Sequence, residues 1–508
     1  MIQNITCIGA GFVGGPLGAV IAYRCPNISV TVVDKNASRI DSWNSDALPM
    51  YEPGLSDIIA EIRQRKNMCN LVFSCEIEKA IHEADIIMLC IDTPTKKFGI
   101  GSGMALDLGH IQAAVRTIAD VATTDKIVVE KSTVPCGTAS RIQDLLVSGS
   151  KGNCKFEVLS NPEFLSEGTT VTDLLHPSRV LIGCQRTETG RQAAEKLAEI
   201  YKRWTSPELI ITMDQWSAEL SKLASNALLA QRISSINSLS AICEAVDANI
   251  DSVVEGCGSD PRIGNKMLHS GIGWGGSCFP KDVAALVYLA RSLGLNTVAN
   301  YWNAVLEMNE DQQTRFVKRI LGCMQRCING KNIAVLGFSF KKDTSDTKHS
   351  PSIKLVRGLL VEGATICVYD PMVSESQIRT DVSPSKDDST RLRVFSTADE
   401  ACANADAVVV ATEWDEFKTP EALLASHQVN LINGVNGSET NDVGMNGAHE
   451  ISARKKVDWH SIVDNMKQPA FIFDGRNMLS SQYFENLSCR YVGIGYSSRW
   501  DDVHYPLL

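Results

Sequence analysis

The feature that most constrains the fold is a strand, turn, helix and strand pattern at the start of the chain. A short apolar run, "ITCIG", leads into the glycine turn Gly9-Ala-Gly11-Phe-Val-Gly14 and then into small residues typical of a closely packed helix. An alternating β-branched run, "ISVTVVD", ends at Asp34, 20 positions after Gly14. This order predicts the first βαβ unit of a dinucleotide-binding fold.

The glycine turn and Asp34 predict which dinucleotide binds. Glycines let the backbone approach a pyrophosphate, and the N-terminus of the following helix stabilises its charge. Asp34 would accept hydrogen bonds from the adenosine ribose and repel a 2′-phosphate, so NAD is favoured over NADP. The alternative is a glycine turn needed only for packing, with Arg39 as a solvated helix charge rather than a residue over the adenine. The turn residues are Gly9, Ala10, Gly11, Phe12, Val13 and Gly14.

Further strands and helices organise the chain into three segments. Apolar runs at 84–95, 126–138 and 156–168 read as buried strands of a parallel sheet, within a NAD-binding domain at 1–213. The stretch 214–249 has helical apolar spacing without Pro or Gly, as one helix or two with a kink, and opens a central helical segment at 214–327. The sequence predicts an α/β protein, with two Rossmann-like, doubly wound parallel-sheet domains joined by these helices.

The second α/β domain, at 328–508, repeats the plan of the first with a changed turn. "KNIAVLGFSFKKDT" is followed by a helical run and by "TICVYDP", so a strand, a turn, a helix, a strand and an acid recur. Its turn has lost the closely spaced glycines and gained lysines, so it should bind a different anion. Residues 427–456 are rich in Asn, Gly and Ser, which predicts a surface insertion.

Composition bounds the compartment and the partners. The 508 residues carry a net charge of −10, which argues against a nucleic-acid or anionic-membrane binder. The start of the chain has no basic segment before an apolar core, and no apolar run nears the ~18 residues of a membrane helix. Sixteen scattered cysteines show no metal-ligand spacing and predict reduced thiols in a cytoplasmic protein.

Polar residues follow several of the predicted strands, where open α/β sheets bind their ligands. They are Thr93, Thr95, Thr133, Glu163 and Glu167. The two glutamates, four apart, would share one side of a helical turn, although capping or solvation would explain these residues equally well.

Lys222 and Asn226 lie four apart on the predicted long helix, so they face the same way. Directed at a cleft, they would stabilise negative charge developing on an oxygen. The alternative is an exposed helix face, because most helix lysines are solvated.

A glycine-dense stretch, "GIGWGGSCFPKD", spans residues 271–282. Its backbone can wrap closely around a sugar or phosphate. Cys278 follows the glycines, with Lys281 and Asp282 just after it. A nearby cation favours a thiolate, and a carboxylate can relay a proton, so Cys278 is either a nucleophile or one more buried thiol.

Eight motifs occur in an order that resembles the nucleotide-sugar 6-dehydrogenases, and among them the UDP-glucose 6-dehydrogenases. The motifs are "GAGFVGGP", "EKSTVP", "SNPEFLSEGT", "ELSKLASNALLAQRIS", "RIGNK", "GWGGSCFPKD", "LGFSFKKDTSDT" and "FIFDGRN". The resemblance implies a four-electron oxidation of UDP-glucose to UDP-glucuronate with two NAD. It also implies a homo-oligomer, a dimer or a hexamer built from dimers, since Arg262 resembles an arginine that enters the neighbouring subunit's site.

The resemblance also implies site residues. Cys278 would be the nucleophile and Asp282 the base, with Lys222 and Asn226 on the developing oxygen anion. Glu163 would assist thioester hydrolysis, and Thr133 would hold a water. The cofactor residues would be the glycine turn with Asp34, Arg39, Thr93, Thr133, Glu167, Lys281 and Lys348. The substrate residues would be Glu163, Phe164, Leu165, Lys222, Asn226, Arg262, His269, Gly271, Gly273, Trp274, Gly275, Phe340, Lys341 and Arg476.

Two residues depart from the family pattern, and two other functions stay open. Lys348 stands where Arg is usual, which predicts weaker NAD binding because the bidentate fork is lost. Trp274 stands where Phe is more usual. The alternatives are a dehydrogenase of another nucleotide sugar, such as GDP-mannose or UDP-N-acetylmannosamine, and a nucleotide-binding regulatory protein without catalysis.

Overall fold

The computed structural model describes residues 2–65, 69–150, 154–383, 385–420, 422 and 456–497. Its described residues fall into two compact units. Unit 1 takes them from 2–226 and 284–299, and unit 2 from 227–283 and from 300 onward. All but residue 456 of the predicted insertion at 427–456 lies outside the described residues. The three-segment division at 213 and 327 stays a prediction.

Unit 1 is built around an eight-stranded sheet in the order β3-β2-β1-β4-β5-β6-β7-β8. The strands are β1 Asn4–Ile8, β2 Ser29–Val33, β3 Leu71–Ser74, β4 Ile86–Leu89, β5 Lys126–Glu130, β6 Phe156–Ser160, β7 Val180–Cys184 and β8 Ile210–Asp214. The helices are α1 Gly14–Arg24, α2 Ala37–Asn44, α3 Leu55–Gln64, α4 Ile77–Glu83, α5 Gly109–Val121, α6 Thr138–Gly149, α7 Thr170–Leu175 and α8 Glu188–Tyr201. The order of β1 to β6 confirms the doubly wound plan, whose ligand crevice lies beyond the carboxyl ends of the strands.

One junction in this sheet departs from the parallel pattern. β1 to β6 pair in parallel, but β6 and β7 pair antiparallel through Ser160 and Gly183, and β7 then pairs in parallel with β8. Gly183 sits where a Cβ would lie 2.7 Å from Ala218, so the sheet and the following helix approach closely there. The last two strands therefore extend the sheet in the opposite direction.

Four helices follow the first sheet. They are α9 Gln215–Val246, α10 Ile250–Gly258, α11 Phe279–Ser292 and α12 Asn296–Cys323. The 32 residues of α9 form one helix, the first of the two forms that the sequence allowed. No helix in the described part of the chain is long and apolar enough to span a bilayer.

Unit 2 contains a six-stranded, all-parallel sheet in the order β11-β10-β9-β12-β13-β14. Its strands are β9 Asn332–Leu336, β10 Thr365–Tyr369, β11 Leu392–Val394, β12 Ala407–Val410, β13 Ala470–Asp474 and β14 Cys489–Gly493. Its helices are α13 Pro351–Val361, α14 Glu375–Val382, α15 Lys386–Ser389, α16 Ala398–Cys402, α17 Trp459–Asp464 and α18 Ser481–Glu485. This order is the same as that of the first six strands of unit 1, β3-β2-β1-β4-β5-β6. It confirms the predicted repeat of the Rossmann-like plan.

Candidate active site

The three glycines of the first turn are each needed for a different structural reason. Gly9 has φ +107°, and a Cβ there would lie 2.3 Å from the Cys90 carbonyl oxygen. A Cβ on Gly14 would lie 1.9 Å from the Gly9 carbonyl oxygen, so packing alone excludes side chains at both positions. A Cβ on Gly11 would meet nothing within 4 Å. Gly11 thus leaves open space beside the N-terminus of α1, which suits the close approach of a cofactor phosphate.

Asp34 closes this turn from the end of β2. Its Oδ2 accepts hydrogen bonds from the Ala10 amide and from Arg39 Nη1, both at 3.0 Å, and its Oδ1 accepts from the Asn36 amide at 2.9 Å. Burial raises the pKa of Asp34, but the amides of Asn36 and Ala10 and the charge of Arg39 outweigh it, so the pKa is lowered. Asp34 is therefore an ionised acceptor at the position predicted for a ribose contact. Phe12 is largely exposed beside it, and Val13 packs against the core of unit 1.

Trp43 supports the glycine turn, although no sequence motif points to a function for it. Its Nε1 donates to the Ala10 carbonyl at 2.9 Å, and its ring stacks on Phe73 with the centroids 4.7 Å apart. A Cβ on Gly15 would lie 2.1 Å from the Trp43 ring. Because a single tryptophan in an amphipathic helix usually reads as core, only the fold shows that Trp43 orders the cofactor turn.

The ends of β4 and β5 meet as the strand-end pattern predicted. Thr93 Oγ1 donates to the Thr133 carbonyl at 2.7 Å, and both residues are buried. Ser132 Oγ donates to the Ile91 carbonyl at 2.7 Å and accepts from the Ile91 amide at 2.9 Å. Thr95 instead forms an antiparallel bridge with Leu106. The loop that carries Thr133 is therefore fixed against its neighbour.

The predicted helical turn at Glu163 and Glu167 is wrong. Residues 161–166 are neither helix nor strand, and α7 begins only at Thr170. The buried Glu52 accepts hydrogen bonds from the Gly168 and Thr170 amides at 2.9 and 3.1 Å, which fixes the turn after Glu167 and the start of α7. Glu163 and Glu167 therefore do not share a helix face.

Glu163 instead forms a buried ion pair with the long helix. Its Oε1 lies 2.9 Å from Lys222 Nζ, and its Oε2 accepts from the Leu165 amide at 2.7 Å. Burial raises the pKa of Glu163, but Lys222, the Leu165 amide and Lys131 outweigh it, so the pKa is lowered. Glu163 is thus a carboxylate, and its side chain is only 9% exposed.

Lys222 and Asn226 both lie on α9 and are both buried, so the exposed-face alternative is wrong. Phe164 lies beside them, with the Arg179 guanidinium 3.9 Å and Lys222 Nζ 5.4 Å from its ring centroid. Leu165 packs against the core of unit 1. The structure therefore brings Glu163, Phe164 and Lys222 together, and it adds Arg179, which the sequence pattern did not single out.

In unit 2 the glycine loop is buried and tied to two helices. Asn237 of α9 accepts from the Gly271 amide at 2.9 Å, and Gln312 of α12 donates to the Gly271 carbonyl at 2.6 Å. Gly273 has φ +111°, and a Cβ there would lie 2.7 Å from Asn309 Oδ1. A Cβ on Gly275 would lie 2.3 Å from the His349 carbonyl oxygen. Hydrogen bonds and close packing therefore hold this loop in place.

Trp274 is an internal anchor of this loop. Its amide donates to Asn309 Oδ1 at 2.9 Å, and its Nε1 donates to Ser234 Oγ at 3.0 Å. Its ring meets Phe279 edge to face at 5.9 Å. A phenylalanine has no N–H to reach Ser234, so the tryptophan gains one buried hydrogen bond at this position.

Cys278 directly precedes α11, whose first turn contains Asp282. Cys278 is half-buried, its Sγ lies 3.7 Å from Ser277 Oγ, and its carbonyl accepts from the Asp282 amide at 2.9 Å. Asp282 is fully buried, and Lys281 Nζ lies 4.0 Å from its Oδ1. The N-terminus of a helix favours an anion, so the position of Cys278 suits a thiolate.

Several of the other thiols are buried, and burial raises their pKa values. All sixteen cysteines are free. Burial raises the pKa of several thiols well away from neutrality, to about 11 for Cys136 and Cys489. The same direction holds for Cys25, Cys184, Cys243, Cys367 and Cys402. These seven thiols are poor nucleophiles, because they stay protonated near neutral pH. Cys278 is instead half-buried at the start of a helix.

Arg476 joins three of the predicted substrate residues in unit 2. Its guanidinium donates to the Phe340 carbonyl at 3.0 Å, the Gly273 carbonyl at 3.3 Å and the Ala411 carbonyl at 2.8 Å. Lys341 Nζ lies 5.7 Å from the Phe340 ring centroid. A Cβ on Gly276 would lie 2.9 Å from the same ring. The glycine loop, Phe340 and Arg476 therefore form one cluster.

Three predicted site residues stand apart from that cluster. Arg262 is 88% exposed and pairs with Asp260 at 2.6 Å. His269 and Lys348 are exposed, although the Lys348 carbonyl accepts from the Gly276 amide at 2.8 Å. Among the described residues of unit 2, no hydrogen bond or ion pair joins the side chains of these three residues to the cluster.

Comparison with known proteins identifies the domains. Models of the UDP-glucose/GDP-mannose dehydrogenase family match the chain as NAD binding domain at 3–205, central domain at 216–311 and UDP binding domain at 334–433. The chain is 46% identical to UDP-glucose 6-dehydrogenase 5 of Oryza sativa subsp. japonica and to UDP-glucose 6-dehydrogenase 4 of Arabidopsis thaliana, over 97% of each chain.

A solved structure extends the comparison to the fold. The UDP-glucose dehydrogenase of Pyrobaculum islandicum matches with a TM-score of 0.77 at 26% identity, over 98% of both chains. The three matches fall in the first Rossmann-like domain, in the helices that follow it and in the second Rossmann-like domain. The chain therefore belongs to the UDP-glucose/GDP-mannose dehydrogenase family.

Proposed function

We propose that this protein is a UDP-glucose 6-dehydrogenase, which oxidises the C6 alcohol of UDP-glucose to the carboxylate of UDP-glucuronate and reduces two NAD. The observation that carries the proposal is the position of Cys278. It stands at the start of α11 and at the end of a fixed glycine loop, in a chain 46% identical to UDP-glucose 6-dehydrogenases over almost its full length. A half-exposed thiol at a helix N-terminus is suited to covalent catalysis.

The NAD site rests on the turn of unit 1. The open space at Gly11 and the ionised Asp34 fit a pyrophosphate and an adenosine ribose. Thr93, Thr133 and Glu167 would complete this site, and the family resemblance adds Lys281 and Lys348 as cofactor residues. Bound NAD supplies a hydride acceptor for each of the two oxidation steps.

In the first oxidation the C6 hydroxyl loses a proton and a hydride. Asp282 takes the proton through a water, and Lys222 with Asn226 stabilises the negative charge on the oxygen. The product is an aldehyde at C6. Lys222 is suited to this role because it is buried and charged beside Glu163.

In the second oxidation the Cys278 thiolate adds to the aldehyde carbon. The new C–S bond gives the oxyanion of a thiohemiacetal, which loses a hydride to become a thioester. Water then attacks the thioester, the C–S bond breaks, and the thiolate returns. Glu163, an ionised carboxylate, would accept the proton of that water, and Thr133 would help to position it. The covalent step prevents escape of the aldehyde.

The sugar nucleotide would be held by unit 2. The backbone of Gly271, Gly273 and Gly275 would approach the sugar closely, with Trp274 as the anchor behind. Lys341 and Arg476 add positive charge, which suits a diphosphate on a protein with a net charge of −10.

We also propose that the protein is a homo-oligomer, either a dimer or a hexamer built from dimers. Leu239, Ile242 and Val246 lie on one stripe of α9 and are 39%, 56% and 65% exposed. A stripe of exposed leucine, isoleucine and valine on a helix suits a protein interface. Sedimentation should therefore show a dimer or larger, and Ile242→Asp should shift it toward the monomer. A wild-type monomer would contradict this.

We place the protein in the cytoplasm. All sixteen cysteines are free thiols, which fits a reducing compartment.

The decisive experiment counts NADH formed per UDP-glucose consumed, with limiting sugar and excess NAD. We expect a ratio near two for the wild type. Cys278→Ser should lower turnover by ~10³-fold or more, because the second oxidation loses its covalent carrier. Cys257→Ser, which changes an exposed thiol of the same unit, is the matched control and should keep full turnover.

Other outcomes would redirect the assignment. A ratio near one would mean release of the aldehyde and would contradict the thioester step. Turnover with GDP-mannose or UDP-N-acetylmannosamine but not with UDP-glucose would assign a different nucleotide sugar. Binding of UDP-glucose and NAD without any NADH would favour a regulatory protein.

A further inference from the structure

Lys131 is a buried lysine that the proposed reaction has not used. It follows the last residue of β5 and is 5% exposed. Its Nζ lies 3.0 Å from Asn161 Oδ1 and 3.4 Å from the Tyr201 hydroxyl, both of which are neutral groups. No ion pair joins it to a carboxylate in the described part of unit 1. Burial of an ammonium without a directly paired anion costs several kcal/mol, which calls for a compensating role.

Lys126, at the other end of β5, shows what an ordinary buried lysine looks like here. It is 3% exposed, and its Nζ donates to the His82 and Ala84 carbonyls at 2.8 and 2.5 Å. Those contacts anchor the amino end of the strand, away from the carboxyl ends at which ligands bind. Lys126 and Lys131 therefore share burial and charge but lie at opposite ends of β5.

Through Asn161, Lys131 is linked to the turn that carries Glu163. Asn161 is fully buried, and its Oδ1 also accepts from the Tyr201 hydroxyl at 2.7 Å. Its Nδ2 donates to the Leu181 carbonyl at 2.7 Å, and its amide donates to the Glu130 carbonyl at 2.9 Å. Pro162 follows and restricts the backbone. The position of the Glu163 carboxylate therefore depends on this anchored asparagine.

Lys131 also changes the charge balance of the site. Glu163 and Lys222 form a pair at 2.9 Å, so together they have no net charge to offer an oxygen anion. With Lys131 behind them, the buried group holds two ammonium groups and one carboxylate. A preorganised surplus of positive charge in a buried site stabilises negative charge that develops in a transition state.

The groups that face Lys131 come from every element around it. Cys90, Glu163 and Cys7 favour its ammonium form, and Lys222 opposes it; the ring of Tyr201 lies 5.8 Å from its Nζ. Burial is the largest influence and lowers the pKa of Lys131 to about 8. The ammonium therefore predominates at neutral pH and is lost as the pH rises above that value.

We propose that Lys131 is a positioning residue for the oxidation, which holds the Asn161–Glu163 turn and supplies the positive charge that leaves Lys222 able to stabilise the developing oxygen anion. The inference rests on the proposed function. Lys131 acts through Asn161, Glu163 and Lys222 and need not touch the substrate.

The test compares Lys131→Met and Lys131→Gln with Lys126→Met. Glutamine removes the charge but keeps a donor for Asn161, and Lys126→Met controls for the loss of a buried lysine at the opposite end of β5. We expect both Lys131 variants to lower kcat for UDP-glucose oxidation by ~10- to 100-fold, with KM within ~3-fold, because the lost charge acts on the transition state. Lys126→Met should retain the wild-type kcat per folded molecule.

The pH profile separates a charge effect from a structural one. We expect the wild-type kcat to fall above about pH 8, where Lys131 gives up its proton. We expect no such fall in either Lys131 variant. A wild-type kcat for Lys131→Gln, or a profile lowered by the same factor at every pH, would overturn the inference. If both variants fail to fold, the wild-type profile decides, since the lack of any decrement between about pH 7 and 9 would overturn the inference by itself.

The wild type, assayed in parallel, separates the two proposals. A ratio of NADH to UDP-glucose other than two in the wild type would count against the proposed function. A ratio of two, together with wild-type kcat in both Lys131 variants, would leave the function standing and overturn only the role of Lys131.

Discussion

The glycine turns of the two units start from the same geometry. Gly9 and Gly337 have φ +107° and +93°, and their amides donate to the Val33 and Tyr369 carbonyls at 2.8 and 2.7 Å. In each unit the acid after the second strand accepts from the amide that follows the glycine. Asp34 accepts from Ala10 at 3.0 Å, and Asp370 accepts from Phe338 at 2.6 Å.

The two acids differ in how many further hydrogen bonds each can accept. Besides Phe338, Oδ2 of Asp370 accepts from the Ser339 amide at 3.0 Å and from Trp414 Nε1 at 3.2 Å. Its Oδ1 accepts from the Met372 and Val373 amides at 2.9 and 3.0 Å. A carboxylate offers about four lone-pair positions, so Asp370 is saturated by the protein.

Asp34 has fewer internal partners, and one of them is the Arg39 side chain, which is 43% exposed. That partner can move aside for a ribose. One scaffold thus serves two purposes. In unit 1 Asp34 stays available to a ligand. In unit 2 Asp370 accepts hydrogen bonds that hold the loop carrying Phe340 and Lys341.

The largest expected effect concerns the two acids. We expect Asp370→Ala to lower the free energy of unfolding of unit 2 by ~4 kcal/mol, because several buried amides lose a charged acceptor. Asp34→Ala should cost unit 1 about 2 kcal/mol and should raise the KM for NAD by ~10-fold or more. Denaturant titration measures the first quantity, and steady-state kinetics measures the second.

Hydrogen exchange read peptide by peptide assigns each loss to its own unit. Exchange should rise in β9 and β10 for Asp370→Ala and in β1 and β2 for Asp34→Ala. The lowered pKa of Asp34 means that its contribution is present above its unfolded pKa of about 3.9 and is lost as the pH falls through the folded value. Equal losses of unfolding free energy from both substitutions would contradict the distinction between an acid that binds a ligand and an acid that supports a loop.

Much of the scaffold could be predicted from the sequence, because it follows from local patterns. The apolar runs before Gly9 and Gly337, and the acids at Asp34 and Asp370, mark each βαβ unit without any long-range information. The antiparallel pairing of β6 with β7 could not be predicted in that way. Strand direction depends on the path of the chain between strands, and apolar runs are the same in either direction.

The sequence singled out the candidate site residues that stand in motifs, and it missed residues that support them through contacts distant in sequence. Cys278, Lys222 and Glu163 stand in recognisable motifs. Glu163 was placed on a helix that does not exist, because a spacing of four residues is not evidence of a helix beside a proline. Trp43 was not singled out at all, and Lys131 appeared only within the motif EKSTVP, since their importance lies in contacts with residues such as Ala10 and Asn161 that are distant in sequence.

The smallest expected effect on stability gives the sharpest test of the comparison. We expect Gly9→Ala and Gly337→Ala each to cost ~2–3 kcal/mol, because each position has a positive φ and a Cβ there would lie 2.3 or 2.4 Å from a neighbouring atom. Gly11→Ala should change stability by less than ~0.5 kcal/mol, because its Cβ would enter open space. It should nevertheless raise the KM for NAD by ~10-fold, since that Cβ occupies the path of the pyrophosphate. Denaturation together with NAD kinetics measures both effects, and unchanged NAD kinetics in Gly11→Ala would mean that the open space at this turn is not the phosphate site.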